Sequence, residues 1–149
     1  ERTRAFTAIG ENLRAAIRNC AVAMLAAGDP TNEAARIAVI DLVRNSGMER
    51  YDDTWLAHDL NESNPSRVSA YLVPLKQSLN QEHKEALVRQ VAAIGFSDGL
   101  LTPGQTRVLE TMGASVGLSA EDVRGILDAS TSPNERLAPD ETPGGSSVT

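Results

Sequence analysis

Several residue types are scarce in this chain of 149 residues, and each scarcity argues against a class of protein. The single cysteine, Cys20, excludes an internal disulfide and a cysteine-rich zinc site. Aromatic residues amount to 3%, which argues against stacking platforms for nucleic-acid bases. The 14 basic residues are outnumbered by 20 acidic ones, so the net charge of −6 disfavours nucleic acid as a partner. Apolar runs fall well short of the roughly 20 residues of a membrane span, and we expect no transmembrane segment.

The apolar residues that are present favour helices over strands. Alanine occurs 20 times and leucine 15 times, against 11 valines. Near the start of the chain Ile9, Leu13, Ile17, Cys20 and Met24 recur at helical spacing. Comparable stripes continue along the chain, and helices explain the apolar pattern better than strands do. The sequence therefore predicts an all-α domain of about seven helices over residues 1–129.

The residues around the second helix predict where it begins and which face it buries. Asp29 can cap this helix, and Pro30 suits its first position. Ile37, Ile40 and Val43 then form the expected buried stripe.

Two later helices carry stronger start signals. Thr102, Pro103 and Gln105 have the order of an N-cap, a first helical residue and a capping-box partner. Ser119 and Asp122 resemble a second capping box, with a shorter acid in the glutamate position.

The two halves of the chain resemble each other weakly. A shift of 72 residues places Glu33 over Gln105 and Ile37 over Leu109. Two helical hairpins packed face to face would bury a common core, so the sequence predicts a two-repeat helical bundle. The alternative is that amphipathic helices align by chance.

Residues 130–149 have a different composition, rich in proline, glycine, serine and threonine. Such a segment has too few apolar side chains to form a core of its own, so we predict an extended C-terminal tail. A solvated tail is the simplest interpretation. The alternative is a docking peptide that binds a partner through Leu137, Pro139, Pro143 and Val148.

The segment from Gly95 to Pro103, Gly-Phe-Ser-Asp-Gly-Leu-Leu-Thr-Pro, resembles the acidic turn of the tellurite-resistance TerB family. The Val-Gly-Leu sequence at 116–118 resembles the segment that ends the following helix in that family. The resemblance covers residues of about 5 to 129 and implies an all-helical fold of two repeats. The same domain is similar to the N-terminal part of some membrane-anchored J-domain co-chaperones.

The TerB resemblance also implies a cation site built from an Asp-Gly pair and a later glutamate in each repeat. Here the second repeat keeps Asp98 and Gly99 but has Gln105 in place of the glutamate. The first repeat keeps Glu33 and lacks the Asp-Gly pair, with Asp29 displaced. A retained site for Ca²⁺ or Mg²⁺ would therefore use Asp98, Glu33 and Asp29, which is about half the implied number of acids. The alternative is that the two aspartates only cap or end helices, and capping alone explains them.

Candidate catalytic residues are few. His58 and His83 both lie among charged helical neighbours, and Cys20 lies on an apolar stripe where a buried, inert thiol is expected. The chain has no phosphate loop, nucleophile elbow or dinucleotide fingerprint, so we expect a protein that is not an enzyme.

The basic residues near the start of the chain form one further candidate site. Arg2, Arg4, Arg14 and Arg18 could contact anionic lipid or an acidic partner. The alternative is a solvated face balanced by nearby acids.

Two functional hypotheses follow. The first is a bacterial, TerB-like protein-interaction and stress-response domain in the cytoplasm, beside partners at the inner membrane or on a scaffold, with or without a degraded divalent-cation site. The second is an accessory structural subunit that attaches to a larger complex, including a membrane complex, through its C-terminal tail. Both assign protein partners to the chain, and neither requires a cofactor other than that cation.

Overall fold

A computed structural model describes residues 2–97 and 99–130, and within these ranges the chain is helical without strands. This confirms the predicted all-α class. Asp98 and the tail residues 131–149 lie outside the described residues. The elements are α1 (Arg2–Ala27), α2 (Glu33–Asn45), α3 (Asp53–Asn61), α4 (Ser66–Leu72), a 3₁₀ turn (Val73–Leu75), α5 (Gln81–Phe96), α6 (Pro103–Val116) and α7 (Ala120–Ser130).

The second half of α1 is the centre of the fold. It is apolar on nearly every side, and a helix of this kind is stable only when other elements surround it. Helices α2, α3, α4, α5 and α6 all pack against α1, whereas α7 packs on α5 and α6. The buried residues of α1 are Ala16, Ile17, Cys20, Ala21, Val22, Ala23, Met24 and Leu25.

The start of α2 differs from the sequence prediction. Asn32, and not Asp29, is the N-cap, and its side chain accepts a hydrogen bond from the backbone N–H of Ala35 at 2.9 Å. The Asp29 carboxylate instead accepts hydrogen bonds from the backbone N–H and the hydroxyl of Thr31, at 3.0 and 2.7 Å. Pro30 therefore lies in the turn before the helix and not at its first position.

The buried face of α2 is also different from the predicted one. Ala35, Val39 and Val43 are buried, whereas Ile37 is 51% exposed and Ile40 is partly buried. Residues four apart lie on the same side of a helix, so Ala35, Val39 and Val43 share one face. Ile37 follows Ala35 by two positions, about 200° around the helix, and therefore points outward.

The N-caps give the register of the two halves. Asn32 caps α2 and Thr102 caps α6, and these residues are 70 positions apart. The shift of 72 is therefore wrong for these two helices. In the observed register Ala35 corresponds to Gln105 and Val39 to Leu109, and all four side chains are buried.

The predicted caps of the later helices are confirmed. Thr102 and Gln105 form a reciprocal capping box at the start of α6. Ser119 and Asp122 exchange hydrogen bonds of 2.9 and 3.1 Å at the start of α7. These interactions connect residues only three positions apart, which is why the sequence pattern identifies them.

Candidate functional site

Two of the three acids of the predicted cation site, Asp29 and Glu33, lie in the described part of the chain. Asp29 is exposed. The Thr31 hydroxyl, with the larger effect, and the Thr31 backbone N–H donate hydrogen bonds that hold the pKa of the Asp29 carboxyl below its ordinary value. Glu33 is exposed in the first turn of α2, and Asp98 lies outside the described residues. No group of three or more His, Cys, Asp or Glu side chains suited to a metal occurs among the residues described.

Gln105, at the position of the family's glutamate, is buried and hydrogen-bonded to the protein itself. Gln105 is only 2% exposed to solvent. Oε1 accepts a hydrogen bond from the backbone N–H of Thr102 at 3.0 Å, and Nε2 donates one to the carbonyl of Met24 at 3.2 Å. An ionised glutamate could not donate to that carbonyl. The residue present here therefore joins α6 to the end of α1 and does not fit a cation-ligand role.

A polar cluster links α1 to α3 and to the loop before α3. The Arg18 guanidinium donates two hydrogen bonds of 2.7 Å to the two carboxylate oxygens of Asp59. The Tyr51 hydroxyl donates a third hydrogen bond of 2.7 Å to the same carboxylate. The guanidinium carbon also lies 5.6 Å from the ring centres of both Tyr51 and Trp55. Arg18 is thus held in one orientation by a bidentate ion pair and two aromatic rings.

The protonation states of this cluster follow from its contacts. Burial alone would raise the pKa of Asp59, but the hydrogen bonds from Arg18 and Tyr51 outweigh it and the pKa lies below the ordinary value. The bond to Asp59 raises the pKa of Arg18, and burial raises that of the Tyr51 hydroxyl. The carboxylate and guanidinium therefore stay charged, and the phenol stays neutral, across the physiological range.

A polar cavity of about 490 Å³ opens beside this cluster, between α1, α3 and α4. This volume is within the usual range for small-ligand pockets. Its lining includes two positively charged residues, Arg18 and Arg67, and two negatively charged ones, Asp59 and Glu62. The remaining lining residues are Asn19, Val22, His58, Ser63, Asn64 and Tyr71.

A second depression, which we call the apolar groove, has a volume of about 600 Å³ and lies between α1, α4 and α6. It shares Ser63 with the wall of the polar cavity. Among the described residues that line it, Arg107 alone is charged. The other lining residues are Ala23, Ala26, Ala27, Leu60, Pro65, Val68, Gly104, Val108 and Thr111.

Of the four arginines of the predicted basic patch, Arg18 forms an ion pair within the domain, and the side chains of Arg2 and Arg4 lie outside the described part of the structure. Arg18 is committed to Asp59, and its side chain is only 27% exposed. The sequence pattern does not reveal this pair, because Asp59 lies 41 residues from Arg18. The position of Arg18 directly after the buried Ile17, at the edge of the apolar stripe of α1, indicates only that its side chain is partly covered.

The candidate catalytic residues show no arrangement that would activate a nucleophile. Cys20 is fully buried, and burial raises the pKa of its thiol to about 12, so it is a neutral core residue at physiological pH. His58 and His83 are exposed, and within the described residues neither imidazole forms a side-chain hydrogen bond. His58 instead presents its ring edge-on to Trp55, with 6.4 Å between the ring centres.

No protein-family model, curated protein or solved structure matches this chain. None of the helices described is both long and apolar enough to cross a bilayer. The polar cavity, the apolar groove and Trp55 together form a surface that we call the α1 face, because α1 residues line both depressions.

Proposed function

We propose that this chain is a non-enzymatic protein-interaction domain of the TerB-like, tellurite-resistance type that acts in the stress response. Its partners are proteins at the inner membrane or on a scaffold in the cytoplasm. The observation that carries the proposal is the α1 face, where an open apolar groove adjoins a polar cavity and an exposed tryptophan.

The composition of this face supports protein binding over catalysis. Trp55 is 48% exposed and Tyr71 41% exposed, and tryptophan, tyrosine and arginine dominate the energetic centres of protein interfaces. The ion pair with Asp59 fixes Arg18 beneath Trp55, so the aromatic side chain is supported before a partner arrives. A preorganised contact of this kind lowers the ordering cost of binding.

Affinity capture from the source cells, combined with in-cell proximity labelling, tests the proposal. We expect specific proteins to be recovered with the parent chain and lost with Trp55→Ala. Ile37→Ala is the matched control, because Ile37 is equally exposed but lies on α2. Circular dichroism must show that both variants remain helical. Recovery that is the same for all three chains, or of no protein at all, would contradict a role for this face.

The stress-response part of the proposal needs a separate experiment. Cells that lack the gene should grow more slowly in tellurite than the parent strain, and the Ile37→Ala chain should restore growth while Trp55→Ala should not. Equal growth of the deletion and parent strains would leave only the interaction function.

The alternative function is an accessory structural subunit that attaches to a larger complex through its tail. The buried amide of Gln105 favours it, because the structural use of this position removes an acid that the implied cation site would need. Isothermal titration with Ca²⁺ and Mg²⁺ separates the alternatives. Heat of binding to one site would favour a cation-dependent TerB-like domain, since an accessory subunit has no need for either ion.

A further inference from the structure

We propose that the apolar groove binds an amphipathic helix of another protein, one that carries acidic residues beside its apolar face. This inference rests on the proposed interaction function and adds the chemistry of the partner. It follows from the shape of the groove and from the charges along its rim.

Part of the groove lining consists of small residues. Ala23, Ala26 and Ala27 of α1 and Gly104 of α6 present little more than backbone and methyl groups. Small contact residues allow the axes of two helices to approach more closely. Larger apolar side chains complete the lining, namely Leu60, Pro65, Val68 and Val108. A slot of about 600 Å³ between three helices suits the apolar side chains at positions i, i+3, i+4 and i+7 of a docked helix.

The charge at the groove selects the partner. Arg107 is exposed at the edge, and no other described residue forms an ion pair or side-chain hydrogen bond with it. Arg67, across α4 in the polar cavity, is likewise unpaired among the described residues. Among the described lining residues of the cavity, Glu62 is the only acid besides Asp59, which pairs with Arg18. The described lining residues of the two depressions carry three arginines and two acids, an excess of one positive charge on a chain of net charge −6, and an acidic helix complements the unpaired Arg107.

Two synthetic helical peptides of about 15 residues serve as probes. Both carry leucine at i, i+3, i+4 and i+7, and one has glutamate where the other has lysine on the flanks. We expect the full chain to bind the glutamate probe, measured by fluorescence anisotropy, and to bind it less tightly as salt is added. Arg107→Glu should weaken this binding about tenfold and should make the lysine probe the better ligand.

Two further variants separate the groove from the rest of the surface. Ala26→Trp fills the groove and should abolish binding of both probes. Arg124→Glu makes the same change of net charge on the exposed surface of α7 and should leave binding unchanged. Equal binding of the glutamate probe by the parent chain, Ala26→Trp and Arg107→Glu would overturn the proposal, and so would the absence of binding.

Other occupants give distinct results. Concentration-dependent dimerisation by light scattering, abolished by Ala26→Trp, would assign the groove to a second copy of this chain. Displacement of the probe by a synthetic peptide of residues 131–149 would assign it to the chain's own C-terminal segment. Either result overturns the proposal.

If the probes fail but cellular capture depends on Trp55, the proposed function survives without this groove. If the probes bind and capture recovers nothing, the groove chemistry stands and the cellular function fails.

Discussion

At the scale of single residues, the clearest feature is the Asp59 carboxylate with its three hydrogen bonds from Arg18 and Tyr51. The Asp59 side chain is 14% exposed, so the loss of a partner would leave a partly buried charge poorly solvated. The same contacts fix the orientation of Arg18 under Trp55. Stability and the shape of the α1 face therefore depend on one carboxylate.

Asp59→Asn should lower the free energy of unfolding at pH 7 by about 1–3 kcal/mol, because the charge that pairs with Arg18 is lost and the amide nitrogen cannot accept a hydrogen bond. The folded-state pKa of Asp59 is depressed, so its stabilisation is present above the unfolded pKa and is lost as pH falls through the folded pKa. In urea titrations the difference between parent and variant should therefore shrink below about pH 4. Asp41→Asn, at an exposed position on α2, is the control. Parallel pH profiles for parent and Asp59→Asn would contradict this assignment.

Gln105 gives a second prediction at the residue scale. Gln105→Glu should destabilise the fold at pH 7 by about 1–3 kcal/mol, because a buried carboxylate cannot donate to the Met24 carbonyl. Burial raises the pKa of such a carboxyl. The variant should therefore lose stability relative to the parent as pH rises through the unfolded value near about 4.3, and recover it on acidification. A variant as stable as the parent would contradict the structural role of the Gln105 amide, and one stabilised by Ca²⁺ would show that this position can face an ion.

At the scale of elements, close helix contacts decide where small residues are required. Gly113 is buried on α6, and a Cβ there would lie 2.4 Å from Val123 Cγ2 on α7. Valine is stiff about its first side-chain torsion and has little freedom to move away. Gly125, on α7, would place its Cβ in open space. An alanine side chain would therefore overlap its neighbour at Gly113 and fit without contact at Gly125, although both glycines lie inside helices.

Gly113→Ala should lower the free energy of unfolding by about 1–3 kcal/mol, because overpacking at the α6–α7 contact exceeds the gain in helix propensity. Gly125→Ala should raise it by up to about 1 kcal/mol, since only the propensity changes. Chemical denaturation of both variants in parallel measures the difference. An increase in stability for Gly113→Ala would mean that α7 packs less closely on α6 than described.

At the scale of the whole molecule, the second half of α1 holds together helices from both halves of the chain. The end of α1 meets the start of α6 directly, where the Thr102 hydroxyl donates a hydrogen bond of 3.1 Å to the Ala27 carbonyl. This contact and the Gln105 bond to Met24 join α1 to α6 through polar as well as apolar interactions. The α1 face lies on this joined core and so has a rigid base.

Removal of residues 131–149 should leave the melting temperature within about 2 °C of the full chain. The segment contains only Leu137 and Val148 as large apolar residues, too few to stabilise the helical domain substantially. If the tail binds a partner, the same deletion should weaken capture of that partner. Differential scanning calorimetry and the capture experiment test the two parts. A marked fall in melting temperature would show that the tail packs on its own domain.

The sequence by itself determined the helical class and the starts of α6 and α7, because these depend on residues a few positions apart. The capping boxes at Thr102 and Ser119 are of this local kind. The same reasoning placed the start of α2 three residues early, since Asp29 and Asn32 are both competent caps and only the folded turn separates them.

Only the tertiary structure decided the contacts between distant residues and the depressions on the surface. The Arg18–Asp59 pair spans 41 residues and the Gln105–Met24 bond spans 81, so both depend on how whole helices are rotated and packed against one another. Periodicity shows that a helix has a buried face, but it does not show which partner covers that face or which gaps remain. The polar cavity and the apolar groove are such gaps, and they exist because α3, α4 and α6 meet α1 without closing over it.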